Sequence, residues 1–170
     1  MTFYRRALRS AAVMAIAAAA AFPALAETVI IHAGKVLDVP GNSVRGATTI
    51  TVTDGKIVSL ENGYKSAGRS VRVIDLKDSF VLPGLIDSHV HLTSDAGGLA
   101  GQLDEVTLSP AAQAFDAWEN GMKTLRAGFT TVRNLGDGDG AVLALRDAVN
   151  DGQVQGPRIL DAANALSVSS

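Results

Sequence analysis

From Pro83-Gly84 onward the chain alternates short β-branched runs with helical periodicity, and this alternation limits the possible folds more than any other feature of the sequence. Residues 85–92 read as a strand. Ser109-Pro110 then supplies an N-cap with proline at the first helical position. Ala111, Ala114, Phe115, Trp118, Met122 and Leu125 recur at three- and four-residue steps up to a stop at Gly128, which predicts one amphipathic helix with Phe115 and Trp118 in the core. Residues 129–133 form a second strand and residues 134–140 a glycine-aspartate loop. Residues 141–150 form a second helix, with apolar side chains at 142, 145 and 149 and a closing Gly152, and residues 158–161 a third strand. Strands separated by helices at this spacing need right-handed crossovers and a parallel sheet. The fold class is α/β, and in such folds functional groups collect at the carboxyl ends of the strands.

Residues 27–82 follow a different rule. Residues 28–32 are β-branched and bounded by Gly34, and residues 47–53 alternate threonine with apolar side chains. Asp54-Gly55 leads into residues 56–60, and Asp-Gly between two such runs is a strong hairpin signal. Residues 71–75 and 80–82 make two further strands, completing a small, mostly antiparallel β unit. His32 ends the first strand far from any second ligand type and reads as a packed or surface histidine.

The strand at residues 85–92 ends in Asp87-Ser-His-Val-His91. Side chains two apart on a strand point to one face, so His89 and His91 reach a common point and Asp87 shares their parity. The chain has no cysteine, which excludes thiolate sites and leaves nitrogen and oxygen to hold any metal. Two imidazoles do not close a coordination shell, since a tetrahedral zinc site takes three or four protein ligands. Asp87, Asp95, Asp104 and Glu105 are the remaining candidate ligands, either supporting the histidines or lying in the loop beyond them. Gly136-Asp-Gly-Asp-Gly140 before Ala141, with Asp161 further on, matches a dinucleotide fingerprint. However, Asp137 and Asp139 would repel a pyrophosphate, so a nucleotide-binding module is the weaker reading. A calcium loop lacks the later oxygen ligands it needs, and a flexible loop at the mouth of the sheet is the simpler expectation.

Residues 1–26 read as an export signal: Arg5, Arg6 and Arg9, an apolar run over residues 11–22, and Ala24-Leu25-Ala26 as the cleavage site. The apolar run is too short to span a bilayer comfortably. Taking those three arginines from the 15 basic residues leaves 12 against 17 acidic ones, a formal charge of −5 with histidine neutral. That balance excludes a nucleic-acid or anionic-membrane partner, and the expected location of the exported product is the periplasm.

Val81-Leu-Pro-Gly-Leu-Ile-Asp-Ser-His-Val-His-Leu92 closely resembles the metal-ligand strand of the amidohydrolase superfamily. The β unit before it resembles half of the small β-sandwich those enzymes carry. Residues 125–136 and 156–160 resemble the second and third strand regions of the imidazolonepropionase-like and Xaa-Pro dipeptidase-like branch. The resemblance implies the first part of a (β/α)8 TIM-like barrel over residues 83–170, preceded by a β-sandwich portion over residues 27–82. It also implies hydrolysis of C–N bonds in a small amide or dipeptide substrate by a water activated on one or two divalent ions, most often zinc. His89 and His91 carry over as metal ligands. The carboxylated lysine or glutamate, the later histidines and the general-base aspartate of the family belong to later strands, so no catalytic residue is assigned to this chain.

The 86 residues from Leu85 to Ser170 suffice for two βα units and a third strand, against about 250 for eight units. The expectation is therefore an incomplete barrel, the leading portion of a longer enzyme that is inactive alone and could form a homo-oligomer when complete. The alternative is a non-catalytic remnant that binds metal or pairs with a chain supplying the missing strands.

Overall fold

The computed structural model describes residues 27–94, 98–137 and 140–164; within these, nothing is described for the side chains of residues 98, 101, 102 and 105. The proposed export signal lies outside the described residues, as do Asp95 and Asp139. The chain divides into two compact units between Leu82 and Pro83.

The first unit is one four-stranded sheet in the order β3-β2-β1-β4, formed by β1 (Thr28–Val36), β2 (Thr48–Thr53), β3 (Lys56–Asn62) and β4 (Arg72–Val81). Asp54 and Gly55 both take positive φ, 50° and 73°, the geometry of the tight hairpin turn that joins β2 to β3. β1–β2 and β2–β3 are antiparallel and β1–β4 is parallel, so the unit is mostly antiparallel, as the sequence predicts, with one parallel pair. Two corrections have one cause. β1 does not stop before Gly34, and residues 71–75 and 80–82 are not separate strands. Between Ala33 and Lys35 the register against β4 jumps from Leu76 to Phe80, so Lys77, Asp78 and Ser79 arch over Gly34. The glycine marks a bulge within a continuous strand rather than its end. Ala33, Val36 and Ile50 form the buried centre, with Ile31, Val52, Leu60 and Val81 against them. His32 is buried, and its Nε2 lies 2.9 Å from the Lys65 carbonyl oxygen.

The second unit is a parallel sheet of β5 (Leu85–Val90), β6 (Phe129–Asn134) and β7 (Arg158–Asp161), in that order. α1 (Gly98–Thr107) and α2 (Pro110–Arg126) connect β5 to β6, and α3 (Ala141–Asn150) connects β6 to β7. Ser109 caps α2 as its sequence predicts, its Oγ accepting the Ala112 N–H at 3.3 Å ahead of Pro110. α1 replaces what the sequence reads as loop, and Asp104 and Glu105 lie on it. Leu92, Ala117, Val132, Val142, Leu145 and Ile159 form the core, with Val90 and Val149 packed against it.

α2 turns a different face to that core than its large apolar residues suggest. Gln113, Ala117 and Gly121, at four-residue steps, are buried, whereas Phe115 is 74% and Trp118 41% exposed. The small side chains at 117 and 121 let the helix backbone approach its neighbours closely. Phe115 and Trp118 instead edge an apolar groove with Leu145, Ala148 and Val154, and the Trp118 Nε1–H donates to the Gln155 carbonyl at 2.9 Å. β5 pairs only with β6 among the described residues, and Ile86 is exposed. Among the described residues it stands at the edge of the sheet.

Candidate metal centre

The carboxyl ends of β5, β6 and β7 lie side by side, and His89 and His91 stand at the end of β5. Simple strand parity does not hold there. From Asp87 to Val90, three steps on β5 match only two on β6, Val132 to Asn134, so the strand is bulged through Ser88 and His89. Asp87 does not line up with the imidazoles as a ligand; its Oδ1 accepts the His89 N–H at 3.0 Å and holds the bulge.

The two histidines nonetheless meet, with ring centroids 5.3 Å apart and planes at 66°. An ion about 2.1 Å from one nitrogen of each ring stands roughly 3.2 Å from each centroid, so two ligand rings at a tetrahedral angle lie about 5 Å apart. The observed spacing fits that arrangement. The Nδ1 of His91 lies 3.2 Å from the Gly136 carbonyl oxygen. A carbonyl can only accept, so Nδ1 carries the proton, and in the neutral ring Nε2 keeps its lone pair for a cation. Gly136 takes a φ of 128°, which side-chain-bearing residues avoid, and this conformation presents its carbonyl to the ring. Both histidines are exposed. Among the described residues no three His, Asp or Glu side chains come together as a metal cluster, so the pair fits a divalent ion as two ligands of a larger set.

The first residues after β6 are tied down by hydrogen bonds. Asp137 is buried, its Oδ2 accepts the Val142 N–H at 2.8 Å, and its own N–H donates to the Ala163 carbonyl at 3.2 Å. It therefore closes the first turn of α3 and occupies an amide that a nucleotide phosphate would need. Burial pushes the Asp137 carboxyl above its ordinary value. The Val142 N–H opposes that rise, and the charge of Asp161 adds to it. Because the folded value is the higher one, stability from protonating Asp137 is full below the unfolded value and is lost as pH rises through the folded value. Asp137→Asn stays neutral and keeps an oxygen for Val142. It is expected to gain stability relative to the wild type as pH rises from about 3 to about 7. Urea unfolding at a series of pH values measures this, and a difference that stays constant across the range contradicts it.

Sequence reasoning missed Asn134, which it placed in the loop. Asn134 ends β6 with its side chain wholly buried. Its Oδ1 accepts the Leu92 N–H at 2.9 Å, and its Nδ2 donates to Asp161 Oδ1 at 2.9 Å and to Asp137 Oδ1 at 3.5 Å. A polar residue closing a β-branched strand two positions before a glycine was the available signal.

A pair of imidazoles at the carboxyl end of a parallel strand, one with its tautomer fixed by a carbonyl, defines the class: an α/β protein with a histidine pair at the open end of its parallel sheet. The family model described as "Amidohydrolase family" matches residues 80–167, and the chain belongs to that family. It is 31% identical over 90 residues to a dihydroorotase of Anaeromyxobacter dehalogenans, covering 53% of this chain and 19% of that one. It is 43% identical over 49 residues to an allantoinase of Bacillus licheniformis, covering 29% of this chain and 10% of the relative. Among solved structures, a Xaa-Pro dipeptidase with methionine bound in its active site superposes with a TM-score of 0.75 at 34% identity, over 83% of this chain and 34% of that one. The chain thus spans about a fifth of the dihydroorotase and a third of the dipeptidase.

Proposed function

We propose that this chain carries the first two metal ligands, His89 and His91, of an exported divalent-metal hydrolase of carbon–nitrogen bonds. The observation that carries the reading is the 5.3 Å pairing of the two rings, with Nδ1 of His91 engaged by Gly136. In this reading β5, β6 and β7 open a (β/α)8 barrel, and the four-stranded sheet belongs to a β-sandwich. The relatives' names divide between dipeptidase on one side and dihydroorotase and allantoinase on the other. The likeness to the Xaa-Pro dipeptidase extends over more of the chain, which favours a dipeptide substrate. A nitrogen pair with oxygen ligands to follow suits zinc.

The residues present have defined tasks. Asp87 holds the bulge that carries His89, and the Gly136 carbonyl keeps the proton on Nδ1 of His91 and so leaves Nε2 to bind. His89 and His91 would hold a divalent cation there, which would supply a Lewis acid to lower the pKa of water and polarise a carbonyl. The test is to purify the protein from its own source, measure its metal content, and assay dipeptides that contain proline. One or two divalent ions per chain are expected, with hydrolysis lost on chelation and restored by zinc. Undiminished hydrolysis by protein shown to be metal-free would overturn the proposal.

A further inference from the structure

We propose that Asn134, together with Asn120, positions His91 by clamping the backbone of Leu92, so that metal affinity depends on two amides that touch no metal. The inference deepens the metal-site reading and rests on it.

The need for a clamp follows from the register. Where the β5–β6 ladder lapses, between Asp87 and Val90, strand pairing does not fix the backbone that carries the histidines. His89 is held locally by Asp87. His91 lies one residue beyond β5, and its neighbour Leu92 takes over. The Leu92 N–H donates to Asn134 Oδ1 at 2.9 Å, and its carbonyl accepts from Asn120 Nδ2 on α2, also at 2.9 Å. The Leu92 side chain is 2% exposed within the core. The peptide next to His91 is therefore held from two elements and by its own packing.

Asn134 suits this role because its orientation is determined. An N–H can only donate and a carboxylate can only accept, so the oxygen must face Leu92 and the nitrogen Asp161 and Asp137. Asp161 stands opposite Asn134 in the β6–β7 register, which ties the Leu92 backbone across the sheet to the end of β7. The His91 ring returns to the same short segment, since Gly136 lies two residues beyond Asn134 and the Leu135 N–H donates to the Val90 carbonyl at 3.1 Å. Backbone and ring of His91 are thus both referenced to residues 134–136. Partners that orient a ligand without touching the metal typically contribute about 10–100-fold in affinity.

The test uses cobalt(II) as the probe, with affinity measured by chelator competition on the visible d–d band and folding followed by circular dichroism of the metal-free protein. Asn134→Leu keeps the approximate volume and removes every hydrogen bond. Asn120→Leu removes only the hold on the Leu92 carbonyl. Asn134→Leu is expected to weaken cobalt binding about 10–100-fold and Asn120→Leu by less, with an altered d–d band in both folded variants. A merely structural role predicts lower melting temperatures with unchanged cobalt affinity and spectrum, and that result overturns the inference. If Asn134→Leu does not fold, wild-type affinity in Asn120→Leu overturns it instead. A wild-type protein that takes up no cobalt defeats the metal-site reading as well, whereas a wild type that binds alongside variants that bind equally defeats only this one.

Discussion

His91→Ala is expected to abolish tight binding of a divalent ion, by more than the roughly 10–100-fold that loss of an outer partner costs. The substitution removes a ligand atom, not merely its support, and leaves one imidazole of the pair. The Gly136 carbonyl loses its ring partner as well, but that carbonyl lies at the sheet's open end, where water can replace the imidazole N–H. Folding should therefore be little affected, and metal content should fall in protein that remains native. His89→Ala should behave alike, its backbone N–H still free to donate to Asp87. His32→Ala is the control: that ring is buried against the Lys65 carbonyl, so its loss should lower stability by about 1–3 kcal/mol and leave metal affinity untouched. Calorimetric titration of the three variants with zinc decides the matter. Wild-type affinity in His91→Ala would remove the assignment, and a loss of metal binding confined to His32→Ala would reverse it.

What the sequence reveals here depends on how far apart the interacting residues lie. Asp54-Gly55, Ser109-Pro110 and Gly152 act within a turn or two, and each stands where its local chemistry predicts, with Gly152 at a φ of 71° just past α3. His89 and His91 are legible as close neighbours because only one residue separates them, although a bulge rather than regular strand parity sets how their rings meet. Distant partners are not legible in this way. The parallel pairing of β1 with β4 joins residues more than forty positions apart, and nothing in either strand's own pattern distinguishes it from an antiparallel one. The largest apolar residues of α2 point to a different face from the one it buries, which carries Gln113, Ala117 and Gly121. The site shows the same division. That the histidines are near neighbours follows from their spacing, but the bulge that turns Asp87 aside and the Asn134 clamp depend on β6, more than forty residues away.

Gly34→Ala is the substitution expected to damage the fold most. A Cβ built on Gly34 falls inside the envelope of the Lys77 carbonyl oxygen and 2.8 Å from its carbon, with the Ser79 oxygen at 3.2 Å. All three obstacles are backbone atoms of the arch that β4 makes between Leu76 and Phe80. A flexible side chain could swing away, but an arch pinned at both ends by ladder bonds to β1 can retreat only by breaking some of them. Overpacking that side chains can absorb costs about 1–3 kcal/mol, so here the cost should exceed about 3 kcal/mol, a large part of the roughly 5–15 kcal/mol that holds a typical domain folded. The neighbouring Ala33 and Val36 are at the centre of that sheet's core, so a shift in β1 is felt where packing is tightest. Gly41→Ala makes a useful contrast, since nothing lies within 4 Å of its Cβ and only the positive φ of 88° opposes it; it should cost about 1 kcal/mol. Urea unfolding of the whole protein, followed by circular dichroism, should show a large fall in midpoint for Gly34→Ala and a small one for Gly41→Ala. Equal midpoints would mean that the arch over Gly34 can move away from β1 at little cost, and that the register jump is a soft irregularity rather than a fixed feature of the sheet.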